Sequence, residues 1–591
     1  MKKFPLTLLL TALATVCSAA QPPAPYGPVP TEPQLRWQRM EWYAFMHFGI
    51  NTYTDREWGY GNEDISLFNP TKFNADKVVA TLKEAGMPAF IYTAKHHDGW
   101  CAWPTKTTKH NITRTPYKKG KGDIVRAWSK AAAKHGMKFG VYLSPWDRNH
   151  AEYGRPGYQK AYMQQITELL TNYGPIFEIW FDGANGGDGW YGGAQEKRNI
   201  GDAATYYRFP EVVAAIRKLQ PQCIIWGAEM YGDVHWGGSE KGFVKYPCRN
   251  VTKNREGKDI WNPLEADTTI NRRGWFWHPN QQTAVKPPKQ LMQIYMDSVG
   301  RGANLILNIA PNRDGELDAA DVASLLTFGK ARRELLAKDY ALHAAAQADE
   351  TRGNDPAYGA EKLTDGDIET YWSPNDGTTT GTLELTLPQP ETFDIVRLRE
   401  QIRLGQRVRR FRIEVWQDGA WQTADAEGQS IGNQVMRQLP APVTTDRLRV
   451  VITESDACPC LSEISLLRMP LVGDAPAVAQ DSPLPAHWQQ REQGVNITEF
   501  TQETSVGSIA VTPRKDGTLA GMVNRFRLEA SDDGHSWHTV LETELGNLRA
   551  NPIEQRVSLP APVKAKFFRF TPTGTLEPGD IRVGGLKLYE K

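Results

Sequence analysis

The sequence lacks a charge imbalance, and after its first twenty residues it lacks long apolar runs. Its 591 residues carry 69 Lys and Arg against 68 Asp and Glu, which gives a formal net charge of +1. A chain without excess positive charge has no bulk attraction to nucleic acid or to an anionic membrane, so we expect neither as a partner. No segment after residue 20 is apolar over the length that a bilayer requires, so we predict no transmembrane helix.

Cysteine is also scarce, and its spacing excludes two common uses. Beyond the first twenty residues there are five: Cys101, Cys223, Cys248, Cys458 and Cys460. An odd, sparse set does not form a disulfide framework. Cys458 and Cys460 are too close in sequence for an easy disulfide and have no second pair with which to bind zinc. We predict buried thiols.

The first twenty residues have the pattern of an export signal. Lys2 and Lys3 precede an apolar stretch from Leu6 to Val16, and small residues follow it at positions 18–20. We predict a cleaved signal peptide at residues 1–20 and a secreted or periplasmic mature protein. Lipid attachment at Cys17 is the alternative, but the bulky Val16 before it disfavours that processing.

Between residues 31 and 342, short apolar segments alternate with longer amphipathic ones. The predicted strands are Ala44–Phe48, Ala89–Thr93, Phe139–Leu143, Phe177–Phe181, Cys223–Trp226 and Asn304–Ile309. The predicted helices include Ala75–Ala85, Ile124–His135, Tyr158–Tyr173, Phe209–Leu219 and Ala331–Lys338. This alternation predicts an α/β fold, a TIM-like (β/α) barrel. A Rossmann-like open sheet is the rival, but no Gly-x-Gly-x-x-Gly follows the first strand.

The remainder of the chain predicts two all-β sandwich domains. Residues 343–469 alternate in the manner of strands, residues 470–486 form a Pro- and Ala-rich linker, and residues 487–591 again predict strands. The two units share a pattern, since strands 411–415 and 526–530 are each followed by an Asp-Gly turn and a Trp. The prediction is therefore a repeated domain.

The first unit opens with a motif of its own. Leu363-Thr364-Asp365-Gly366-Asp367, followed by Tyr371-Trp372, resembles the start of a discoidin-like (coagulation factor type C) domain. The second unit lacks this motif and resembles the family through the shared strand pattern. Such domains often bind sugars through their loops, and a passive spacer is the equal alternative.

The run Phe177–Gly183 is the most informative stretch of the barrel. An apolar strand ends there in Asp182 and a glycine. In a parallel barrel the carboxyl ends of the strands carry the chemistry, so Asp182 would project into an active site. The alternative is a carboxylate that only caps a turn or a helix.

Other polar and aromatic clusters follow the remaining predicted strands. They are His47-Phe48-Gly49, Lys95-His96-His97-Asp98-Gly99, Tyr142 with Trp146, and the segment Gly232–Glu240. Catalytic zinc sites present spaced ligands such as His-x-His or His-Glu-x-x-His, and neither occurs here, so we predict no metal site. Imidazoles, carboxylates and aromatic faces together suit a sugar.

Four motifs give the barrel a specific resemblance. His47-Phe48-Gly49, Glu57-Trp58-Gly59, Lys95–Gly99 and Trp180-Phe181-Asp182-Gly183-Ala184 resemble those of the α-L-fucosidases of glycoside hydrolase family 29. The similarity extends from about Trp42 to Pro311. It implies a TIM-like barrel, retention of configuration, no cofactor and a fucosylated oligosaccharide or glycoconjugate as the substrate.

The same resemblance implies roles for two carboxylates, which retaining hydrolysis requires. It places the nucleophile at Asp182. For the acid/base, the candidates are Glu240, Glu229 and Glu265, of which Glu229 is the second choice and Glu265 the more structural. Residues 233–242 resemble the Asp-x-x-Trp-x-Gly-Asn-Glu-x-Gly pattern of the α-1,3/1,4-restricted subfamily, with Ser239 in place of Asn, which favours Glu240.

The resemblance also implies the residues that hold the sugar. They are His47, Glu57, Trp58, His96, His97, Tyr142, Trp180, Trp275 and Trp277. The sequence does not decide whether Trp275 or Trp277 faces the sugar. A neighbouring galactose in a branched fucoside would need loop residues such as Asp188, Trp190 and Glu229.

Two other functions remain open at this point. One is a retaining glycosidase for another sugar such as galactose, which differs from fucose at the C5 substituent. The other is a non-catalytic glycan-binding protein. The presence of both Asp182 and Glu240 argues against this function.

Overall fold

The computed structural model describes residues 20–271, 274–279, 281–474 and 482–590, with the backbone only at residues 282 and 283. The predicted signal peptide, apart from Ala20, and residues 475–481 of the predicted linker lie outside the described residues. No helix within the described part combines the length and the hydropathy that a bilayer-spanning segment requires.

Eight parallel strands form a near-closed barrel. In chain order they are β1 Trp42–Met46, β2 Ala89–Lys95, β3 Lys138–Leu143, β4 Ile176–Trp180, β5 Ile224–Trp226, β6 His235–Trp236, β7 Leu264–Thr269 and β8 Asn304–Asn308. Their order in the sheet is β5-β4-β3-β2-β1-β8-β7-β6. A parallel bridge between Trp226 and Val234 joins the two ends of this sheet. The predicted TIM-like fold is confirmed.

Apolar side chains line both faces of β1, as expected of a strand in a parallel barrel. On β1, Trp42, Ala44 and Met46 pack in the core between the strands and the helices. Tyr43 and Phe45 alternate with them and pack in the barrel interior. The interior is therefore filled with side chains, and a cavity can open only at the strand ends.

Helices surround the barrel, and some of them begin at a capping side chain. They are α1 Glu32–Gln38, α2 Ile50–Thr54, α3 Ala75–Ala85, α4 Ile124–His135, α5 Gly157–Asn172, α6 Ala203–Tyr207, α7 Phe209–Leu219, α8 Pro288–Ser298 and α9 Ala319–Ala337. The Asn74 and Asp123 side chains cap the N-termini of α3 and α4, and Gly86 and Gly136 end them in the left-handed conformation.

Two β-sandwiches follow the barrel. The first contains β9 Ala345–Ala348, β10 Gly381–Glu400, β11 Val408–Gln417, β12 Ala420–Gly428, β13 Val435–Ser455 and β14 Leu461–Leu467. The second contains β15 Gln489–Gln490, β16 Asn496–Pro513, β17 Ala520–Ser531, β18 His538–Glu544, β19 Gln555–Thr575 and β20 Glu577–Tyr589. Their strand orders correspond, β9-β10-β13-β11-β12 and β15-β16-β19-β17-β18. The two units therefore share one topology, as the repeated sequence pattern predicts.

The repeated pattern also has a shared local structure. In the first sandwich, Arg449 lies 4.5 Å from the ring centroid of Trp421 and forms an ion pair with Glu414. In the second, Arg569 lies 4.3 Å from the ring centroid of Trp537 and 2.7 Å from Glu529. In both sandwiches the Trp that follows the Asp-Gly turn thus makes a cation–π contact with an arginine of the later basic strand.

The predicted strands and helices of the barrel each overlap an element of the structure, but two strands of the barrel were not predicted. The six predicted strands overlap β1 to β5 and β8, and the helix predicted at Ala331–Lys338 is part of the longer α9. The prediction was wrong in omitting β6 and β7. β6 has two residues, and β7, Leu264-Glu265-Ala266-Asp267-Thr268-Thr269, carries acidic side chains into the barrel, which removes the apolar pattern. The five cysteines are buried and free, as predicted.

The second sandwich contacts the end of the barrel at which the strands point. Its Ser558 backbone N–H donates to Asp55 Oδ2 at 3.0 Å. Arg148, whose side chain is fully buried, lies 3.2 Å from Glu544 of the same sandwich. These contacts place the sandwich beside the loops in which the candidate site residues occur.

Candidate active site

Asp182 lies two residues beyond the end of β4, and both of its carboxylate oxygens are held. The Ala184 backbone N–H donates to Oδ1 at 2.7 Å, and the Tyr142 hydroxyl donates to Oδ2 at 2.8 Å. Burial raises the pKa of Asp182, and these two donors partly offset that rise because they stabilise the charged form. The bond to Ala184 is the turn contact that the alternative interpretation predicts, but the second oxygen remains directed to Tyr142.

His47 and His97 are buried, neutral imidazoles with fixed ring orientations. Burial lowers the pKa of His47 to about 3, and it also lowers the pKa of His97. His47 Nδ1 lies 2.8 Å from the Asn308 side-chain oxygen, and His97 Nδ1 lies 2.7 Å from the Ser144 hydroxyl. Because Asn308 can only accept through that oxygen, His47 Nδ1 carries the proton and Nε2 is left as an acceptor.

Ser144 decides the tautomer of His97 in the same way. The Ser144 hydroxyl donates to the Trp146 carbonyl at 2.8 Å, so it accepts from His97 Nδ1. His97 Nε2 is then an acceptor, 3.8 Å from Asp182 Oδ2. Since this imidazole is uncharged, Asp182 gains no ion pair from it. The charged form of Asp182 is therefore stabilised by Tyr142 and Ala184.

Glu240 is held by donors from two distant segments. Trp275 Nε1 donates to Oε2 at 3.0 Å, and the Asn547 amide lies 2.9 and 2.7 Å from the two oxygens. Burial raises the pKa of Glu240 to about 7; these donors oppose the rise, and the negative charges of Asp182 and Glu57 add to it. A carboxyl group with such a pKa can both give and accept a proton near neutral pH.

Both carboxylates open on one cavity of about 430 Å³ at the end of the barrel. This volume is within the range of about 300–1,000 Å³ that is usual for small-molecule sites. The described residues that line it are Phe45, His47, Trp58, His96, His97, Tyr142, Trp180, Asp182, Gly183, Ala184, Trp226, Trp236, Glu240, Asp267, Trp275, Asn547, Arg549 and Ala550. The arrangement combines two carboxylates, neutral imidazoles and aromatic walls.

Comparison with known proteins assigns the barrel to a family. A family model for alpha-L-fucosidase matches residues 28–331, about half of the chain. The chain belongs to the α-L-fucosidase family, glycoside hydrolase family 29. It is therefore a glycoside hydrolase. The F5/8 type C domain model matches residues 344–464 and 486–582, so the discoidin-like resemblance is confirmed for both sandwiches.

Relatives support the same assignment over most of the chain. Alpha-L-fucosidase 1 of Arabidopsis thaliana is 32% identical over 78% of this chain and 91% of its own length. A crystal structure of a glycoside hydrolase 29 family member from an unknown rumen bacterium is 36% identical, covers 96% of this chain and 100% of its own, and has a TM-score of 0.69. A Ruminococcus gnavus GH29 fucosidase in complex with fucose is 31% identical, covers 76% of this chain and 97% of its own, and also has a TM-score of 0.69.

Most of the residues that the resemblance implies for sugar binding line the cavity, and the structure distinguishes the two tryptophans. His47, Trp58, His96, His97, Tyr142, Trp180 and Trp275 all line it. Trp277 instead donates through Nε1 to Asp318 at 2.8 Å and is not among the described lining residues. Trp275 therefore faces the cavity.

Glu57 is brought next to the site but not into the cavity lining. Its two oxygens accept from the backbone N–H groups of Trp275 at 2.8 Å and Phe276 at 3.1 Å. His278 Nε2 lies 2.6 Å from Glu57, and its Nδ1 lies 2.7 Å from Asp55. In this structure Glu57 holds the segment that presents Trp275.

The other acid/base candidates lie outside the described cavity lining. Glu229 has a left-handed backbone (φ 53°) in the turn after β5 and interacts electrostatically with Arg255. Glu265 is buried under the cavity floor, where it accepts from Trp180 Nε1 at 2.8 Å and from the Tyr43 hydroxyl. Its place beneath Trp180 agrees with the structural role expected for it.

The loop residues considered for a neighbouring galactose do not line the described cavity. Asp188 lies 3.3 Å from Arg148 and also pairs with Arg525 of the second sandwich. The Trp190 backbone N–H donates to the Tyr60 carbonyl at 3.0 Å. Asp188 is thus a link between the barrel and the second sandwich.

Sequence reasoning did not identify Trp226, Asp267 or Asn547 as cavity residues. Trp226 stacks on Trp180 at 3.5 Å between ring centroids, and its position at the end of a predicted strand was an available signal. Asp267 accepts from Trp236 Nε1 at 2.8 Å, and both lie on the two strands that were not predicted. Asn547 and its loop neighbours belong to the second sandwich, and no barrel motif indicates them.

The histidines of the cavity do not form a metal centre. Within the described residues, no group of three or more His, Cys, Asp or Glu side chains is arranged to hold a metal ion. The Nδ1 atoms of His47 and His97 are committed to Asn308 and Ser144. Hydrogen bonding to a polar ligand is the chemistry that these imidazoles offer.

Proposed function

We propose that this protein is a retaining exo-α-L-fucosidase that releases fucose from α-1,3/1,4-fucosylated glycans. The observation that carries the proposal is that Asp182 and Glu240 line one cavity in different environments. Hydroxyl and backbone donors stabilise the charged form of Asp182. Burial raises the pKa of Glu240 to about 7, so it holds a proton in mildly acidic solution. One nucleophile and one proton donor are what retaining hydrolysis requires.

The reaction has two steps. A carboxylate oxygen of Asp182 attacks the anomeric carbon as the glycosidic C–O bond breaks, and Glu240 gives its proton to the departing oxygen. Water then attacks the same carbon, Glu240 takes a proton from that water, and the bond to Asp182 breaks to release fucose. Each step inverts the anomeric carbon, so the two steps together retain its configuration, and the second step restores both carboxyl groups to their starting states.

The remaining cavity residues would hold the fucose ring. His96 Nδ1 is buried and has no hydrogen-bond partner among the described residues, and its ring stacks 5.6 Å from that of Tyr142. His47 and His97 each offer an acceptor nitrogen for a sugar hydroxyl. Trp58, Trp180 and Trp275 supply apolar surface, which the C5 methyl group of fucose requires.

The linkage preference rests on the motif at residues 233–242. Asp233 pairs with Arg217, which fixes the start of the motif, and Trp236 and Glu240 both reach the cavity. Because the motif resembles that of the α-1,3/1,4-restricted subfamily, we expect the leaving sugar to be an N-acetylglucosamine that is branched with galactose.

Release of fucose from a defined set of α-1,2-, 1,3-, 1,4- and 1,6-linked oligosaccharides tests this function. We expect activity on the 1,3 and 1,4 linkages and none with Asp182→Asn. Aryl β-galactosides and α-galactosides serve as controls for the sugar. Turnover of a galactoside that exceeds turnover of the fucosides would assign the site to another sugar, and preference for 1,2 or 1,6 linkages would refute the linkage proposal alone.

Two further expectations stay proposals. We propose that residues 1–20 direct export and are removed, which gives a secreted or periplasmic enzyme. We also propose domain divisions at 31–342, 343–469 and 487–591, with a linker at 470–486. N-terminal sequencing of the protein from its native host tests the first, and limited proteolysis with mapping of the cleavage sites tests the second.

A further inference from the structure

A loop of the second sandwich forms part of the cavity wall. Between β18 and β19, the side chains of Leu545 and Leu548 are buried in the core of the sandwich. Asn547 lies between these two anchors, and Asn547, Arg549 and Ala550 line the cavity. We refer to residues 546–550 as the cap loop. Because its neighbours are fixed in a core, the position of Asn547 is set by the fold of the sandwich.

The cap loop packs directly on the barrel. A Cβ added at Gly546 would lie 3.1 Å from Glu57 Cβ and 3.1 Å from Trp58 Cγ, closer than most real Cβ contacts. The Gly546 carbonyl also accepts from Gln555 Nε2 at 2.6 Å. The glycine therefore permits a close approach to Glu57 and Trp58 that a side chain would disfavour.

Further contacts lock the sandwich in this position. The Ser558 N–H donates to Asp55 Oδ2 at 3.0 Å, and Asp55 is in turn bonded to His278. Glu544, which precedes the loop, lies 3.2 Å from the fully buried Arg148. Polar contacts of this kind on both sides of the loop hold Asn547 against Glu240.

We infer that Asn547 is a positioning residue for Glu240, and that the cap loop forms the leaving-group side of the active site. This inference rests on the proposed role of Glu240 as the acid/base. An acid/base must be directed at the glycosidic oxygen. The Asn547 amide contacts both carboxyl oxygens of Glu240 and so can orient this group. The second sandwich is then a part of the catalytic site and not a passive spacer.

The direction of the effect on proton transfer follows from the contacts. Asn547 and Trp275 stabilise the charged form of Glu240, whereas the charges of Asp182 and Glu57 oppose it. Asp267 also interacts with Glu240, and Arg549 lines the same cavity. Removal of the Asn547 amide takes away one of two donors, so the pKa of Glu240 rises and its carboxyl group is less firmly directed.

Asn547→Gly is the appropriate test because Asn547 has a left-handed backbone (φ 60°). Glycine adopts this conformation without strain, so the variant removes the amide and leaves the backbone unstrained. Asn354→Gly is the matched control, since Asn354 is also left-handed (φ 52°) and is exposed in the first sandwich. Asn547→Asp is a second variant that tolerates the same conformation and places a carboxylate beside Glu240.

The measurement is kcat/KM against pH for aryl α-L-fucosides with good and poor leaving groups. For Asn547→Gly we expect the alkaline limb to move to higher pH by about one unit. We also expect kcat/KM to fall by about tenfold, with the larger decrease for the poor leaving group. Asn547→Asp should move the limb further in the same direction, because a like charge disfavours ionisation. Asn354→Gly should match the wild-type protein.

An unchanged alkaline limb with equal losses for both leaving groups would overturn the inference. Glu240→Ala, measured in the same series, separates this failure from that of the proposed function. If Glu240→Ala loses activity mainly on the poor leaving group while Asn547→Gly does not, only the role of Asn547 fails. If Glu240→Ala shows no such dependence, the acid/base assignment fails first.

Discussion

The hydroxyl of Tyr142 donates to Asp182 Oδ2 at 2.8 Å, across the ends of two neighbouring barrel strands. Because this bond stabilises the charged carboxylate, Tyr142→Phe should raise the pKa of Asp182. The acid limb of kcat/KM should then move to higher pH. Loss of a hydrogen bond to a charged group costs about 1.5–3 kcal/mol, so we expect kcat/KM of Tyr142→Phe to decrease roughly 10- to 100-fold.

Tyr162→Phe is the control for this prediction. Its hydroxyl is also buried but donates to the Leu143 carbonyl at 3.1 Å. We expect a decrease in thermal stability without movement of the acid limb. Equal pH profiles for the two variants would show that Tyr142 contributes only to packing.

Glu240 should determine the alkaline limb of the pH profile. Burial raises its pKa to about 7, so the group is protonated below that pH and loses its proton above it. With a poor leaving group, kcat/KM should therefore fall as the pH rises through about 7, and Glu240→Gln should abolish this limb. Azide should restore turnover of an activated fucoside by Glu240→Ala. Glu229→Ala is the matched control, and rescue there instead would transfer the role.

Trp275 and Trp277 should respond differently to substitution. Trp275 lines the cavity and donates to Glu240 at 3.0 Å, whereas Trp277 donates to Asp318 at 2.8 Å. Trp275→Phe should lower kcat/KM by about tenfold or more, since it removes a donor that directs the Glu240 carboxyl group and stabilises its charged form. Trp277→Phe should leave kcat/KM near the wild-type value and lower the melting temperature. If Trp277→Phe lowered kcat/KM and Trp275→Phe did not, Trp277 would be the tryptophan that contacts the sugar.

His278 should contribute a pH-dependent part of the stability. It lies between Asp55 and Glu57, and these two carboxylates raise its pKa to about 10 against the desolvation that lowers it. Because its pKa is higher in the folded than in the unfolded state, protonated His278 stabilises the folded protein. This contribution is fully present below about pH 6.5, the unfolded pKa, and disappears as the pH rises towards 10.

Chemical denaturation of wild-type protein and His278→Gln at several pH values measures this contribution. The difference in unfolding free energy should be largest near pH 6 and should narrow between pH 7 and 10. A difference that is independent of pH would mean that His278 has the same pKa in the folded and unfolded protein. Lys72→Ala, at an exposed ion pair with Asp314, is a control that should change little.

The sequence was sufficient to predict the barrel and the position of Asp182 beyond a strand end, because both depend on local pattern. An apolar run that ends in a carboxylate predicts a strand end, and repetition of strand and helix predicts that the strand ends meet. His47, His96 and His97 follow strands in the same way. These residues converge because the carboxyl ends of all the barrel strands lie at the same end of the barrel.

The parts that the sequence did not provide depend on contacts between distant segments. β7 carries Glu265 and Asp267 into the barrel, and their burial is tolerated because Tyr43, Trp180 and Trp236 donate to them. No local pattern shows that such partners exist. The contact between Asn547 and Glu240 spans 307 residues and depends on the docking of a whole sandwich, which no motif in the barrel encodes.

A covalent trap tests the central claim most directly. Incubation with a 2-deoxy-2-fluoro-α-L-fucosyl donor, followed by intact mass measurement and peptide mapping, should show one added fluorofucosyl group on Asp182. Asp182→Asn should remain unlabelled under the same conditions. A label on any other residue, or a protein that turns over fucosides yet cannot be trapped, would contradict the proposal that Asp182 forms the covalent intermediate.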